Sequence, residues 1–532
     1  MQNRLYSIIL LLLVFFSAQS QLRLSPDGVK LDRAIRLIKD LYVDDVNTEE
    51  ITETAIRSML KELDPHSSYL NKEEVRQMNE PLQGNFDGIG ISFNMLTDTV
   101  YVMEVISGGP SQKVGIMPGD KIIYVNDTLI AGQKMTNKEI ISKLRGVKGS
   151  TVVVKVLRKG IEGLTEFRII RDKIPIYSID ASYMVNKNTG YIRLSRFGVT
   201  SQKEFDEALV KLKSKGMKDL IFDLTGNGGG ILNISTDITD EFLDGNKLMV
   251  YTEGKNQPRM TLNSTTKGKF QSGKLVILVD EGSASASEIV SGAIQDWDRG
   301  VIVGRRTFGK GLVQRQLPLT DGTMIRLTVA RYYTPTGRGI QKPYNVGDAD
   351  SYNLDFMNRF NHGELVNADS IHFPDSLKYQ TLINKRTVYG GGGIMPDVFV
   401  PIDTTAATPL HRQLIAKGVI NRVTIQEVDN NRKQLLKNFP DVNAFKNNYT
   451  IPSDLIEKIK ETAIKEEIEW DDKDFEKSQK YILTQMKALL ARDLYDASAF
   501  YRIINDIDDI FSKGLEVISN DALYNKLLHS NN

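Results

Sequence analysis

The chemistry of this chain is read first from Ser285 and Lys310. The segment Gly282-Ser283-Ala284-Ser285-Ala286-Ser287-Glu288 follows the apolar run Leu275–Val279 and opens a helical pattern. A serine at such a strand-to-helix turn has helix N–H groups aimed near it, and these can hold a developing oxyanion. The same letters, Ser285-x-x-Glu288, also spell a capping box, and alone the segment reads more simply as a structural helix start. Lys310 stands in Gly304-Arg305-Arg306-Thr307-Phe308-Gly309-Lys310-Gly311. That run almost spells a phosphate-binding loop. However, Gly311 replaces the hydroxyl residue that would hold Mg²⁺, and a strand pattern, Leu312–Leu317, follows where a helix is required. A lysine among glycines and apolar residues has another use. Burial strips the water that stabilises its ammonium, and the neutral amine can then take a proton from a serine hydroxyl. Taken singly, Lys310 reads as a surface charge.

Composition removes competing chemistries. The chain has no cysteine, which excludes thiolate catalysis, disulfides, zinc–thiolate sites and iron–sulfur clusters. Its five histidines are His66, His362, His372, His411 and His529. None falls in the strand–turn–helix region, and none forms a His-Glu-x-x-His zinc motif. A triad assembled in space from His362 or His372 is the remaining histidine option. Lys plus Arg number 68 and Asp plus Glu 67, giving a net charge of +1. No global field therefore draws the chain to nucleic acid or anionic lipid. No metal, nucleotide or other cofactor is implied.

The elements that must position these residues follow from length and pattern. At 532 residues, 41% of them hydrophobic and 25% charged, the chain suggests about three or four domains. Ile8–Phe16 is continuously apolar, behind Arg4 and ahead of Ser17-Ala18-Gln19-Ser20. This predicts a signal peptide over 1–20 and export to the periplasm or cell envelope, or an uncleaved segment holding the protein at the inner membrane. Residues 22–80 read as helical. From 84 to 174 the period changes to two, with strands at Val100–Val105 and Thr151–Val156 and a helix near Lys138–Leu144. From 177 to 403 strands and helices alternate, predicting an α/β layer structure. Its expected strands are Gly190–Leu194, Asp219–Leu224, Lys274–Asp280 and Gly300–Val303. Its expected helices are Ser201–Lys213, Leu232–Leu243 and Ser285–Gln295. Residues 409–532 read as charged and helical.

In the β-rich module, Gly88-Ile89-Gly90-Ile91 precedes a strand. Glycines there let backbone N–H groups face a common hollow suited to a carboxylate. The helix near Lys138–Leu144 would wall a groove able to take a peptide as an added strand. Alone, Gly-x-Gly reads equally as a tight turn. Together with Gly109-Pro110-Ser111-Gln112-Lys113-Val114-Gly115-Ile116-Met117-Pro118-Gly119-Asp120 and Ile123-Tyr124-Val125-Asn126, the module resembles a PDZ domain. The resemblance implies recognition of protein C-termini through Gly88, Ile89, Gly90 and Ile91.

The two chemical segments, in order, resemble the C-terminal processing peptidases, the tail-specific serine proteases of family S41. The resemblance takes in Leu63-Asp64-Pro65-His66-Ser67-Ser68-Tyr69, the PDZ-like module, Tyr332-Tyr333-Thr334-Pro335-Thr336-Gly337-Arg338-Gly339-Ile340-Gln341 and Gly393-Ile394-Met395-Pro396-Asp397. It implies Ser285 as nucleophile, Lys310 as general base and Gln314 as the residue that orients the lysine. Four apart on a strand, Lys310 and Gln314 would share a face. It also implies an oxyanion hole made by the N–H groups of Ala286 and of Gly229, the latter in Thr225-Gly226-Asn227-Gly228-Gly229-Gly230. Here the chain departs from the family, which usually has Arg at the Thr225 position and often Pro at the Gly228 position, so the stiffness of this loop is open. Ile231 at the third glycine position argues against a dinucleotide fingerprint.

The implied protein is a multidomain α/β enzyme. A PDZ β-module precedes an α/β Ser–Lys peptidase core, with helical N- and C-terminal regions. Its expected function is that of an exported serine endopeptidase acting on polypeptides with accessible C-terminal tails. The alternative is a catalytically inactive PDZ scaffold or chaperone in the cell envelope. The helical ends read as assembly or docking surfaces, for an adaptor protein or a homo-oligomer, or as packing on the core. Residues 345–385 receive no role.

Overall fold

The computed structural model describes residues 25–96, 98–348, 351–352, 354–405 and 407–529. The expected signal segment at 1–20 lies outside the described residues.

Apolar runs build the centre. Strands Asp219–Asp223, Leu275–Val279 and Val301–Gly304 are nearly continuous hydrophobic stretches, the signature of parallel strands covered on both faces. They form a six-stranded sheet in the order Ile179–Met184, Thr189–Leu194, Asp219–Asp223, Leu275–Val279, Val301–Gly304, Val398–Phe399. Only the first pair is antiparallel. On one face, Leu275, Ile277 and Val279 pack with Phe205, Leu209, Phe242, Val290 and Ile294 from helices and turns between strands. Val276 and Leu278, one residue out of phase, face the other side.

That second face is closed by the far end of the chain. Helices Asp509–Ser519 and Asp521–His529 bring Phe511, Val517, Ile518, Tyr524 and Leu528 onto Tyr191, Ile221, Val276 and Leu278. The Tyr524 hydroxyl both accepts from Leu275 N–H (3.0 Å) and donates to Leu275 O (3.2 Å). The C-terminal region is thus two things. Residues up to about Ile504 build a helical bundle with a core of its own, and helices Asp509–Ser519 and Asp521–His529 form a layer of the α/β sandwich. Of the two readings of this end, packing on the core is the one observed for the last helices.

A second sheet was not expected from the pattern, apart from the strand at 312–317. It runs Ser68–Leu70, Met324–Tyr333, Leu248–Gly254, Gln257–Asn263, with Leu312–Pro318 also paired to Met324–Tyr333. Its strands are partly exposed and interrupted by Arg, Gln and Thr, so their hydrophobic alternation is weak. This sheet matters to function. It pairs Ser68 with Arg326 and so carries the N-terminal loop Asp64–Ser67 into the middle of the chain.

The β-rich module forms a sheet from Ile91–Leu96, Thr99–Val105, Lys121–Val125, Thr151–Leu157 and Leu164–Ile170, with the short strand Thr128–Leu129 at its side. The helix Asn137–Leu144 packs against it. A two-stranded ribbon, Asn85–Gly88 with Asp172–Pro175, ties the module's entrance to its exit. Ahead of it, helix Lys72–Gln83 ends at Gly84, and its Leu82 carbonyl accepts from Val199 N–H (2.8 Å).

If the last helices belong to the core, Phe511→Ala should destabilise the protein by about 3–5 kcal/mol in chemical denaturation. A variant as stable as the wild type would show that these helices only rest on the sheet.

Candidate active site

Ser285 caps the helix Ala286–Asp296 from outside, at φ 56° and ψ −112°. A non-glycine residue rarely adopts such a backbone, which costs on the order of 1–3 kcal/mol and is typical of a strand-to-helix nucleophile turn. The two neighbouring serines have structural work. Ser283 Oγ donates to Leu224 O and Ser287 Oγ to Asn227 O, both at 2.8 Å. Ser285 instead lines a cavity of about 480 Å³ together with Lys310.

Glu288 holds the strained turn and much more. It is fully buried, and its carboxylate accepts four hydrogen bonds. Oε2 takes the N–H of Ser285 (2.8 Å) and of Lys310 (2.9 Å), and Oε1 takes the Thr307 hydroxyl (2.6 Å) and Gly309 N–H (2.7 Å). The capping glutamate therefore binds the serine turn and the lysine loop to one carboxylate. Tyr332 adds a second tie, its hydroxyl lying between Ser285 O (3.0 Å) and Lys310 O (2.5 Å). Phe308 N–H donates to Ser283 O as a third.

Lys310 lies in the irregular loop between strands Val301–Gly304 and Leu312–Pro318, with no helix after it, so the phosphate-loop geometry is absent. Burial pushes its ammonium down to about 8. The like charge of Arg326 adds to this, while the Glu288 and Asp64 carboxylates oppose it. Gln314 also lines the cavity, but not by the expected alternation. Lys310 precedes the strand, and a register shift between Val313 and Gln314 turns the chain. Gln314 Nε2 donates to Thr328 Oγ1 (3.3 Å). The rest of the cavity wall is largely apolar, with Met78, Leu82, Leu232, Ile289, Leu312 and Tyr332.

The glycine loop closes over the serine. Gly229 has φ 100°, and a Cβ there would lie 2.8 Å from Ala284 O and Ser285 Cβ and 3.0 Å from Ala286 N. Ala286 is the first residue of its helix, so its N–H has no acceptor within the helix. The expectation for Gly229 needs correcting in one respect. Its N–H donates to Asn227 Oδ1 (2.9 Å) and is not a free donor in this conformation, whereas Gly228 and Gly230 line the cavity. At Thr225 the loop is tied by an arginine from the adjacent strand. Arg193 Nη1 donates to Thr225 Oγ1 (2.6 Å) and Asp223 Oδ2 (2.5 Å), and Nη2 to Thr225 O (2.8 Å). Its guanidinium stacks 4.8 Å from the Tyr501 ring of the C-terminal region.

One histidine lies near Lys310, though it lines no part of the cavity. His66, passed over in the sequence, sits in the loop beside Lys310. Burial, with the nearby Lys310 charge, lowers its imidazole to about 4. Its Nε2 lies 3.0 Å from the Tyr352 hydroxyl. His362 and His372 are exposed and line no part of the cavity. Residues 345–385 acquire a place: besides Tyr352, Arg359 donates to Arg306 O (2.6 Å) and Thr307 O (3.2 Å), bracing the lysine loop from behind.

In the β-rich module, Ile89, Gly90 and Ile91 line a groove of about 260 Å³ with Phe86, Phe93, Ile141 and Leu144. Gly88 does not. It pairs with Asp172 in the ribbon at the module's base, and its Cα faces the Phe86 ring. Arg145 stands at the groove, paired with Glu80 (2.5 Å).

Glu288→Ala should cost about 3 kcal/mol or more of stability, since it strands buried N–H and O–H donors on both loops. Unchanged stability in urea would mean that the four bonds do not couple the loops.

Four family models match the chain: peptidase family S41 over 188–348, a PDZ domain over 88–167, the activating protease CtpB N-terminal domain over 17–74, and a family of unknown function over 410–496. The carboxy-terminal-processing protease of Bartonella bacilliformis is 35% identical over 309 residues, 57% of this chain and 70% of that one. Carboxy-terminal processing protease CtpB of Bacillus subtilis is 34% identical over 316 residues, and the match spans 59% of this chain and just under two thirds, 65%, of that protein. Among solved structures, a photosystem II D1 C-terminal processing protease is 27% identical with a TM-score of 0.35, covering 60% of this chain and 91% of its own. With a PDZ domain ahead of its α/β core, the chain belongs to the carboxy-terminal processing proteases of peptidase family S41.

Proposed function

We propose that this protein is an exported serine endopeptidase that hydrolyses polypeptides near accessible C-terminal tails with a Ser285–Lys310 dyad. The observation that carries this reading is one cavity shared by a strained serine and a desolvated lysine. An amine held at about 8 is neutral in an appreciable fraction of molecules at physiological pH, where an ordinary lysine is not. It can accept the Ser285 proton as Oγ attacks the scissile carbonyl, and return it to the leaving amine. The acyl-enzyme is then hydrolysed by water, with Lys310 again as base. Ala286 N–H stabilises the oxyanion. Gly229 N–H joins it once Asn227 Oδ1 releases that donor, so completion of the hole is a loop movement in this chain.

The groove at Ile89, Gly90 and Ile91 binds the substrate's C-terminal tail as an added strand. The apolar wall formed by Leu232, Ile289, Leu312 and Tyr332 receives side chains flanking the scissile bond. Export rests on the basic, then apolar, then small-residue order of the first 20 residues. Sequencing the N-terminus of protein recovered from a cell-envelope fraction tests that part alone.

Ser285→Ala and Lys310→Ala should each abolish cleavage of an unfolded polypeptide while leaving binding of a tail peptide to the PDZ groove intact. Cleavage by Ser285→Ala at the wild-type rate would refute the dyad. Wild type that binds tails but never cleaves would favour the scaffold reading. In the wild type, kcat/KM should rise as pH climbs through about 8, because Lys310 acts only when deprotonated. A profile flat from pH 6 to 10 would contradict lysine as the base.

A further inference from the structure

Beneath the cavity, a chain of hydrogen bonds runs from the N-terminal loop to Gln314. Asp64 is 7% exposed. Its Oδ1 accepts from His66 N–H (2.9 Å), Ser67 N–H (3.0 Å) and Thr328 Oγ1 (3.0 Å), and its Oδ2 from Ser67 Oγ (2.5 Å). Thr328 is held in register, its own N–H donating to Ser67 Oγ (3.1 Å). Gln314 Nε2 lies 3.3 Å from Thr328 Oγ1. The polarity of this chain is forced. An ionised carboxylate only accepts, so the single Thr328 hydroxyl proton goes to Asp64. Thr328 Oγ1 is left able only to accept, and the amide end that faces it must be the NH₂ of Gln314. The Gln314 carbonyl oxygen is thereby the end turned away from Thr328, on a side chain that lines the same cavity as Lys310.

We propose that Asp64 and Thr328 are positioning residues for the peptidase, fixing the Gln314 amide so that its Oε1 faces Lys310 as an acceptor. The inference rests on the reading of Gln314 as the residue that orients the lysine. A neutral lysine amine has two N–H bonds and one lone pair. Engaging one N–H with Gln314 Oε1 limits the rotation of Nζ and favours the rotamers that point the lone pair at Ser285. Without Thr328 the amide can flip, and in the flipped state it presents NH₂ to the lone pair and competes for it. The loop that supplies Asp64 is more than 240 positions from Gln314 in sequence, and the pairing of Ser68 with Arg326 is what delivers it.

The test compares variants at Thr328 in the full chain with a peptide substrate. Thr328→Val removes the hydroxyl at nearly constant volume, and Thr328→Ser keeps it. The expected result is a roughly tenfold lower kcat for valine with KM unchanged, and activity within about twofold of wild type for serine. In the double variant with Gln314→Ala, the valine change should add nothing to the loss from Gln314→Ala alone, because both act through one amide. If Thr328→Val fails to fold, Thr328→Ala replaces it in the same comparison with serine. Full kcat in Thr328→Val, or losses that simply multiply in the double variant, would overturn the proposal while leaving the role of Gln314 intact. Full kcat in Gln314→Ala would overturn that role and the proposal with it.

Discussion

The site depends on one buried carboxylate. Glu288 has no access to water and is surrounded by donors from two segments that meet only in the folded chain. Burial alone would drive its carboxyl toward the neutral form. Four short hydrogen bonds oppose that shift and favour the charged form. Removing any of those donors weakens the case for an ionised Glu288, and losing Glu288 orphans them all. The serine turn, with its unfavourable φ, and the lysine loop, which has no regular structure, therefore stabilise each other. The same charge lies close enough to Lys310 to raise its proton affinity, which sets a limit on how far burial can lower it.

The lysine is the second half of this balance. Desolvation and Arg326 push Lys310 toward the neutral amine, and Glu288 and Asp64 pull it back. The result is an amine near 8, a poor base when protonated and an adequate one once the proton leaves. Four structural layers make the necessary dryness: the apolar wall of the cavity, helix Lys72–Gln83 with Met78 and Leu82 at its rim, the second sheet, and the segment around Tyr352 and Arg359 behind the loop. The C-terminal helices act at greater distance. They cover the sheet face that Leu275–Val279 would otherwise expose, and Tyr501 packs on the arginine that anchors the glycine loop.

Legibility in the sequence followed the range of each interaction. The α/β order and the PDZ-like module were legible because strand runs, helix starts and glycine spacing are local signals, whereas Ser285 and Lys310 read locally as a helix cap and a surface charge and stood out only through the resemblance of the two segments taken together. Glu288 was visible only in its local role as a cap, since its bonds to Thr307, Gly309 and Lys310 come from a loop about 20 positions away. The second sheet hid behind polar, half-exposed strands. Asp64, Thr328 and His66 gave no sign of lying near the site, because a strand pairing between the two ends of a long separation brings them there. The absence of arginine at Thr225 left the stiffness of the loop open. Arg193, the penultimate residue of strand Thr189–Leu194 and adjacent to the loop only through the sheet, ties it with a guanidinium.

The central claim is that Lys310 is a buried amine poised to be neutral. Its direct measurement is an NMR titration of isotope-labelled lysine side chains in the full-length protein, with the Lys310 signal assigned by its loss in Lys310→Met. The account predicts one lysine with a midpoint near 8, well separated from the exposed lysines. A Lys310 signal that titrates with the bulk of the lysines would contradict it.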